Sequence, residues 1–212
     1  VAKAVGLAPP AQSLPGCLGD CDGFIQFNSD FTFDFDPGNG IAADAIDFIG
    51  VAMHEIGHAL GFLSGVDILD YNSLPLGGPY DDSEFTYVAP LDLFRYSGLS
   101  TAAGVIDWSA DNRDKYFSLD GGITRGPLFA NGVNHGDGDQ ASHWHDQMGL
   151  GIMDPAVAYG ERLVLRANDL IALDAIGWDI GVFAVPLPGT LPLLCLGLAL
   201  LAWQRHKNRQ FS

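Results

Sequence analysis

The stretch HEIGHALGFLSGVD, residues 54–67, constrains this chain more than any other part of its sequence. His54 and His58 are four residues apart, so on a helix they project from one face, one turn apart. Two imidazoles at this spacing can reach a single ion, and zinc readily takes imidazole ligands. In so apolar a segment, two histidines and a glutamate would be costly to bury without partners. The stretch therefore predicts a metal-binding helix.

Glu55 follows the first histidine and lies about 100° further around the same helix. It cannot share the direction of the two imidazoles, but it can reach a water molecule beside the same ion. In HExxH sequences the glutamate acts as the general base of a metalloprotease. The pattern predicts peptide-bond hydrolysis with one catalytic zinc ion and with Glu55 as the base.

A third metal ligand is not evident within the stretch itself. A catalytic zinc site has three protein ligands and an open fourth position. Ser64 is a poor zinc ligand, so the third ligand has to come from elsewhere in the sequence. The candidates are Asp67, His135, His143 and His145.

The order of motifs HEIGHALGF, a long insertion, SHW and IMDP resembles the leishmanolysin branch of the metzincins. In that branch an insertion separates the active-site helix from a third histidine, which follows a serine shortly before a Met-turn. The resemblance implies that the third ligand is His143, which lies 85 residues after His58. It also implies that Met153 is the Met-turn methionine and that Gly61 ends the active-site helix. The remaining alternatives for the third ligand are His145, Asp67 and His135.

The same resemblance implies an α+β fold of the zincin type, in which a sheet packs on the active-site helix and a C-terminal helix follows the Met-turn. The apolar pattern predicts helices over residues 44–63, buried on most sides, and 165–179. Alternation predicts strands over 23–29 and 31–36. Residues 66–135 show no period and are too long for an ordinary loop, so they are predicted to be an inserted irregular subdomain.

The domain organisation is expected to consist of a catalytic domain over residues 1–180 and a separate tail over 181–212. Only 53 residues precede His54, so we expect the catalytic domain to be incomplete at its N-terminus. Residues 189–203 are apolar and uncharged, which predicts a transmembrane segment. The basic run RHKNR after them is typical of the cytoplasmic flank of such a segment.

This tail resembles a PEP-CTERM sorting signal, with VPLP, a short apolar segment and a basic end. The resemblance implies export in a Gram-negative bacterium, transient anchoring in the inner membrane and cleavage by an exosortase. The mature protein would then be at the cell surface or outside the cell. The pieces LDLFRYS and YFSLDGG also look like a bacterial group of exported metalloproteases with this plan.

The net charge of the chain argues against one class of partner, the nucleic acids. Its net charge is −16, and all 26 acidic residues lie at or before Asp179. A body this acidic repels phosphates, so we expect no nucleic-acid binding. Asp34 and Asp36 give weak support for a calcium ion. Cys17 and Cys21 are spaced to form either a small disulfide loop or two free thiols.

Two functions from different classes are therefore open. The first is an exported zinc metalloendopeptidase acting on a peptide or protein substrate. The alternative is a non-catalytic cell-surface or matrix protein with a structural or decayed zinc site, because PEP-CTERM-type tails sort many such proteins.

Overall fold

The computed structural model describes residues 12–13, 20–21, 23–73, 78, 80–81, 84 and 87–180. The chain divides into two compact units, Val1–Asp179 and Ile180–Ser212, and the elements named below all belong to the first. Within the described part of the chain, no helix is long and apolar enough to cross a bilayer. The predicted transmembrane segment 189–203 lies outside the described residues, and so does Cys17, so the disulfide stays a prediction.

The helices and strands are short and of both types. In chain order they are β1 (Gln12–Ser13), β2 (Asp20–Cys21), β3 (Phe33–Asp34), β4 (Ile46–Asp47), α1 (Phe48–Leu60), α2 (Val66–Asn72), β5 (Arg95–Tyr96), α3 (Gly98–Ala103), β6 (Lys115–Phe117), β7 (Leu128–Phe129) and α4 (Ala167–Ala175). Pro37–Asn39 and Pro90–Phe94 are 3₁₀ helices. Loops join these elements over much of the described chain, so loop contacts decide where many side chains lie.

The helix α1 is fixed at both ends. β3 and β4 pair in parallel, with Phe33 opposite Ile46, and β4 leads directly into α1. The Asp47 carboxylate caps the helix by accepting a hydrogen bond of 2.9 Å from the backbone N–H of Gly50. The helix ends at Gly61, whose φ of +109° is left-handed and suits a residue without a Cβ. The chain can therefore turn away sharply after the helix.

The strand predicted over residues 23–29 is absent, and β3 is shorter than predicted. The aromatic side chains of this region instead surround the ring of Phe48, at the first residue of α1. Ring centroids of Phe27, Phe33 and Phe35 lie 5.0, 5.4 and 4.7 Å from that of Phe48. The alternating pattern thus places rings against a helix and does not extend a hydrogen-bonded ladder.

The prediction that α1 is buried on most sides is wrong. Ile49, Met53 and Ile56 are 42%, 37% and 46% exposed. The residues of the helix that are buried are Gly50 and Gly57. Because these two have no side chain, neighbouring segments pack directly against the helix backbone on this face.

The predicted insertion, residues 66–135, contains α2, β5, α3, β6 and β7. Its three strands form an antiparallel sheet in the order β5-β6-β7. Side chains from the insertion and from the rest of the unit share one hydrophobic core, formed by Phe62, Leu91, Phe117, Phe129, Trp144, Ile152, Met153, Ala172 and Ile176. The insertion is therefore an integral part of the core of this unit.

Helix α4 closes the described chain and contacts α1. It lies within the predicted range 165–179, and it contributes Ala172 and Ile176 to the core. After the helix, the indole N–H of Trp178 donates a 2.7 Å hydrogen bond to the carbonyl oxygen of Leu60. This bond ties the end of α4 to the last residue of α1.

Candidate metal centre

Three histidine side chains converge at one point. The Nε2 atoms of His54 and His58 are 3.1 Å apart, those of His58 and His143 are 3.1 Å apart, and those of His54 and His143 are 3.3 Å apart. Among the described residues, these three form the one group of His, Cys, Asp or Glu side chains whose ligand atoms converge in this way. We call this group the histidine trio.

The backbone fixes the tautomer of each histidine. The Nδ1 atoms of His54, His58 and His143 lie 2.9, 2.8 and 3.1 Å from the carbonyl oxygens of Ile152, Phe62 and Gln140. A carbonyl oxygen can only accept, so each Nδ1 carries the proton and each Nε2 has a free lone pair. Three lone pairs therefore face one another, and neutral rings in these tautomers cannot hydrogen-bond to each other.

The spacing of the lone pairs fits a zinc ion. Nitrogens bound to zinc at about 2.0–2.1 Å in a tetrahedral site lie roughly 3.3–3.4 Å apart, close to the distances in the trio. A proton is a poor substitute for the metal, because burial lowers the pKa of His143 to about 3 and also lowers that of His54. The donor set and its second shell of carbonyl oxygens both match what zinc requires.

The backbone of the third histidine and of the residue after it is hydrogen-bonded to two neighbouring segments. The N–H of Ala130 donates to the carbonyl oxygen of His143 at 3.0 Å, and the N–H of Trp144 donates to that of Met153 at 2.9 Å. Trp144 is fully buried in the core. These backbone bonds and the burial of Trp144 hold the chain at His143, whose ring lies against those of His54 and His58 on α1.

Asp67 is not a member of the trio, but it holds the residues that precede His143. Its carboxylate accepts hydrogen bonds from the N–H of Ala141 at 2.5 Å and of Ser142 at 3.1 Å, and from the Ser142 hydroxyl. The Ser142 hydroxyl oxygen in turn accepts a 2.8 Å bond from the N–H of Ser64. The chain leaving α1 is thereby joined to the chain entering His143.

Two buried charged side chains, Asp92 and Arg95, support the same connection. The Asp92 carboxylate accepts from the Ser64 hydroxyl at 2.5 Å and from the Gly65 N–H at 2.8 Å. The Arg95 guanidinium donates to the carbonyl oxygens of Ala141, at 3.2 Å, and Ala130. Burial lowers the pKa of Arg95 to about 10, so this side chain stays positively charged at neutral pH beside its acidic neighbours.

Asp169 plays the corresponding part on the other side of the trio. This carboxylate on α4 is fully buried and accepts bonds of 2.8 Å each from the Ile152 N–H and the Trp144 indole N–H. The carbonyl oxygen of Ile152 is the partner of His54 Nδ1. Asp169 therefore holds the backbone at Ile152, and the carbonyl oxygen of Ile152 in turn orients the imidazole of His54.

Met153, the predicted Met-turn residue, lies against α1 at Gly57, between the two histidines of that helix. It is buried, and a Cβ placed on Gly57 would overlap its sulfur atom. Gly57 thus permits close contact between the Met153 side chain and the helix backbone. This contact sets the distance between α1 and the segment that follows His143.

Glu55 lies beside the trio in a cleft with a volume of about 120 Å³. His54 and Glu55 line one side of this cleft, and residues 154–157 line another. The charge of Glu55 acts on His54 by raising its pKa, against the lowering caused by burial. A water molecule or substrate group in this cleft would be close to both a ligand and the predicted base.

The other predicted ligands have different partners. His145 has its Nε2 3.8 Å from a carboxylate oxygen of Asp137, and His135 has its Nε2 2.6 Å from the carbonyl oxygen of Ser73. Asp34 and Asp36, the weak calcium candidates, accept hydrogen bonds from nearby backbone N–H groups in a turn. None of these four side chains belongs to the trio.

Three supporting residues were missed from the sequence, namely Asp92, Arg95 and Asp169. A signal existed for Asp169, since it precedes Ala172 and Ile176 by three and seven residues and so shares the apolar face of α4. A carboxylate on such a face needs buried donors. Asp92 and Arg95 lie in a segment without a regular apolar period, so no comparable signal points to them.

Comparison with known proteins does not place the chain in a family. No family model matches it, and no match was found among curated proteins or solved structures. The functional interpretation therefore rests on the residues of this chain and their geometry.

Proposed function

We propose that this protein is a zinc-dependent metalloendopeptidase, with His54, His58 and His143 as ligands of one zinc ion and Glu55 as the general base. The observation that carries the proposal is the convergence of three imidazole nitrogens with inward lone pairs beside a glutamate in a cleft. Surface histidines without a ligand have no reason to adopt three matched tautomers around one point.

The proposed reaction uses a bound zinc ion, the three histidines and Glu55. Bound zinc supplies Lewis-acid chemistry, which polarises a carbonyl group and makes a water molecule more acidic. The three histidines keep their Nδ1 protons on backbone carbonyl oxygens and their Nε2 atoms unprotonated. The Glu55 carboxylate accepts a proton from the water that attacks the peptide carbonyl carbon and then passes it to the leaving amine nitrogen.

The order of the motifs along the chain supports a metzincin-like form of this enzyme with an α+β fold. The turn at Gly61, the contact of Met153 with the helix and the separation of His143 from His58 all agree with that arrangement. The proposal extends to export from a Gram-negative cell, to transient membrane anchoring through residues 189–203 and to processing by an exosortase. That part rests on the sequence of residues 181–212 alone.

The test compares hydrolysis by the zinc-loaded full chain with hydrolysis by its Glu55→Gln variant, using a library of internally quenched peptides. We expect Glu55→Gln to bind zinc as the wild type does and to lose about 10²- to 10⁴-fold in kcat/KM, the usual contribution of a general base. Glu84→Gln is the matched control, because Glu84 is an exposed glutamate whose carboxylate accepts a hydrogen bond from the backbone N–H of Asp81.

The outcomes separate the two functions raised by the sequence. Loss of hydrolysis in Glu55→Gln, with full activity in Glu84→Gln, supports the enzyme. A wild-type chain that binds zinc and cleaves no peptide in the library supports the non-catalytic matrix role instead. Equal hydrolysis by Glu55→Gln and the wild type would remove Glu55 from the mechanism.

A further inference from the structure

The cleft beside the histidine trio has mostly apolar walls, with two acidic side chains beside His54. Its apolar lining is formed by Val51, Leu163, Pro155, Ala156 and Val157. Its two carboxylates are Glu55 and Asp154, and among the described residues no lysine or arginine lines it. Its volume of about 120 Å³ is below the roughly 300–1,000 Å³ typical of small-molecule pockets, which suits one side chain and not a large ligand.

The carboxylate of Asp154, which lines this cleft, is not fully hydrogen-bonded. Its Oδ1 atom is buried and has no hydrogen-bond partner. Burial, followed by the negative charges of Asp146, Glu161, Asp139 and Asp169, raises its pKa to about 6. The charged groups that contribute most to this shift are all negative, and a buried carboxylate oxygen without a donor is destabilising. A cation placed against the part of the Asp154 carboxylate that lines the cleft would offset these negative charges.

Lysine and arginine side chains combine the two properties that the cleft requires. Their methylene stems pack on apolar surface while the charged head stays with polar groups. A charge-assisted hydrogen bond to a carboxylate is also roughly twice as strong as a neutral one. The strongly acidic chain, with its net charge of −16, attracts cationic peptides before they reach the cleft.

We propose that Asp154 is a specificity-determining residue that selects peptides carrying a lysine or arginine next to the scissile bond, with the cationic head bound to the Asp154 carboxylate. This inference rests on the proposed peptidase function, because it treats the cleft as a substrate subsite. Glu55 remains the general base, and Asp154 takes no proton in the reaction.

The test uses peptide sets that are identical except for lysine, norleucine or glutamate at each position flanking the cleaved bond. Norleucine keeps the apolar stem of lysine and removes its charge. At one flanking position we expect wild-type kcat/KM to be at least about 10-fold higher for lysine than for norleucine, and lowest for glutamate. Asp154→Asn should reduce the lysine-to-norleucine ratio to near one, and Asp154→Ser should do the same.

Two further measurements keep the result interpretable. Asp174→Asn removes one negative charge from the exposed face of α4, and it should retain the wild-type ratio. Binding of the same peptides to the zinc-loaded Glu55→Gln variant, followed by fluorescence anisotropy, reports selection without hydrolysis. Tighter binding of the lysine peptide should disappear in a Glu55→Gln, Asp154→Asn double variant.

Failure of the peptidase proposal and failure of the Asp154 proposal would give different results. If the wild type cleaves nothing but binds lysine peptides through Asp154, the peptidase proposal fails and the subsite stands. If the wild type cleaves peptides with a lysine-to-norleucine ratio near one at every position, the Asp154 proposal is overturned and the peptidase proposal stands. A ratio that persists in Asp154→Asn and Asp154→Ser also overturns it.

Discussion

The two halves of the proposed metal centre are built in different ways. One half, the helix half, consists of His54 and His58, which come from a single turn of α1. The other, the loop half, consists of His143, which comes from a non-helical segment 85 residues after His58. Helical geometry alone brings the first two imidazoles together. The third depends on contacts between segments that are distant in sequence.

Those contacts are mostly polar and buried. Asp67 and Arg95 hold the backbone just before His143. Asp169 holds the backbone at Ile152, whose carbonyl oxygen accepts the hydrogen bond from His54 Nδ1. Buried charges of this kind are costly unless every partner is present. The comparison indicates that the helix alone sets the spacing of His54 and His58, whereas the position of His143 depends on contacts from distant residues.

The largest expected effect comes from removing the ligand of the loop half. His143→Ala should weaken zinc binding by well over 100-fold, more than the 10- to 100-fold typical of outer-shell partners, because it removes a ligand outright. Competition with a chromogenic zinc chelator measures this change. His145→Ala is the matched control and should bind zinc as the wild type does, since His145 points elsewhere. Equal losses in both variants would contradict the assignment of His143.

A smaller loss of zinc affinity is expected from changing Asp67, which supports the loop half. Asp67→Asn places an amide NH₂ against N–H donors at Ala141 and Ser142, so it should weaken zinc binding by about 10- to 100-fold. Asp70 provides a matched comparison on the same helix, because its buried carboxylate holds Asn134 and His135 instead.

The Asp70→Asn variant should lose stability without a specific loss of zinc affinity. Chelator competition at a temperature where all the variants are folded separates these two effects. If Asp67→Asn and Asp70→Asn bind zinc equally well, Asp67 does not position His143.

The smallest effect concerns the helix half, where it touches Met153. Gly57→Ala should lower the free energy of unfolding by about 1–3 kcal/mol, because the new methyl group overlaps the Met153 sulfur. Gly98→Ala is the control, since a Cβ there meets only Arg125 Nη2 at 3.5 Å and alanine favours a helix. Urea unfolding measures both changes. An unchanged or raised stability of Gly57→Ala would show that the contact between Met153 and α1 is loose.

The helix half and the loop half also differ in how far the sequence could predict them. The spacing of His54 and His58 is a local property, and a helix over these residues was predicted. Its burial was not predicted correctly, because apolar residues on several sides do not reveal which side faces a neighbour. The buried side is instead the one with Gly50 and Gly57.

The choice of His143 over His145 could not be made from the residues alone, because both have the same strand parity. The choice came from a resemblance, and the geometry of the trio includes His143 and leaves His145 out. The partners of Asp92 and Arg95 depend on long-range packing of irregular segments, which no period in the sequence encodes. Strand predictions failed for the same reason, since alternating phenylalanines suit an aromatic cluster as well as a ladder.

The central claim is that three histidines, two from the helix half and one from the loop half, hold one zinc ion. X-ray absorption spectroscopy at the zinc edge, on the purified full chain loaded with one equivalent of zinc, tests it most directly. The account predicts three imidazole nitrogens at about 2.0–2.1 Å and one further light ligand, and one imidazole fewer in His143→Ala. A spectrum with two imidazoles, with sulfur ligands, or without change in His143→Ala would contradict it.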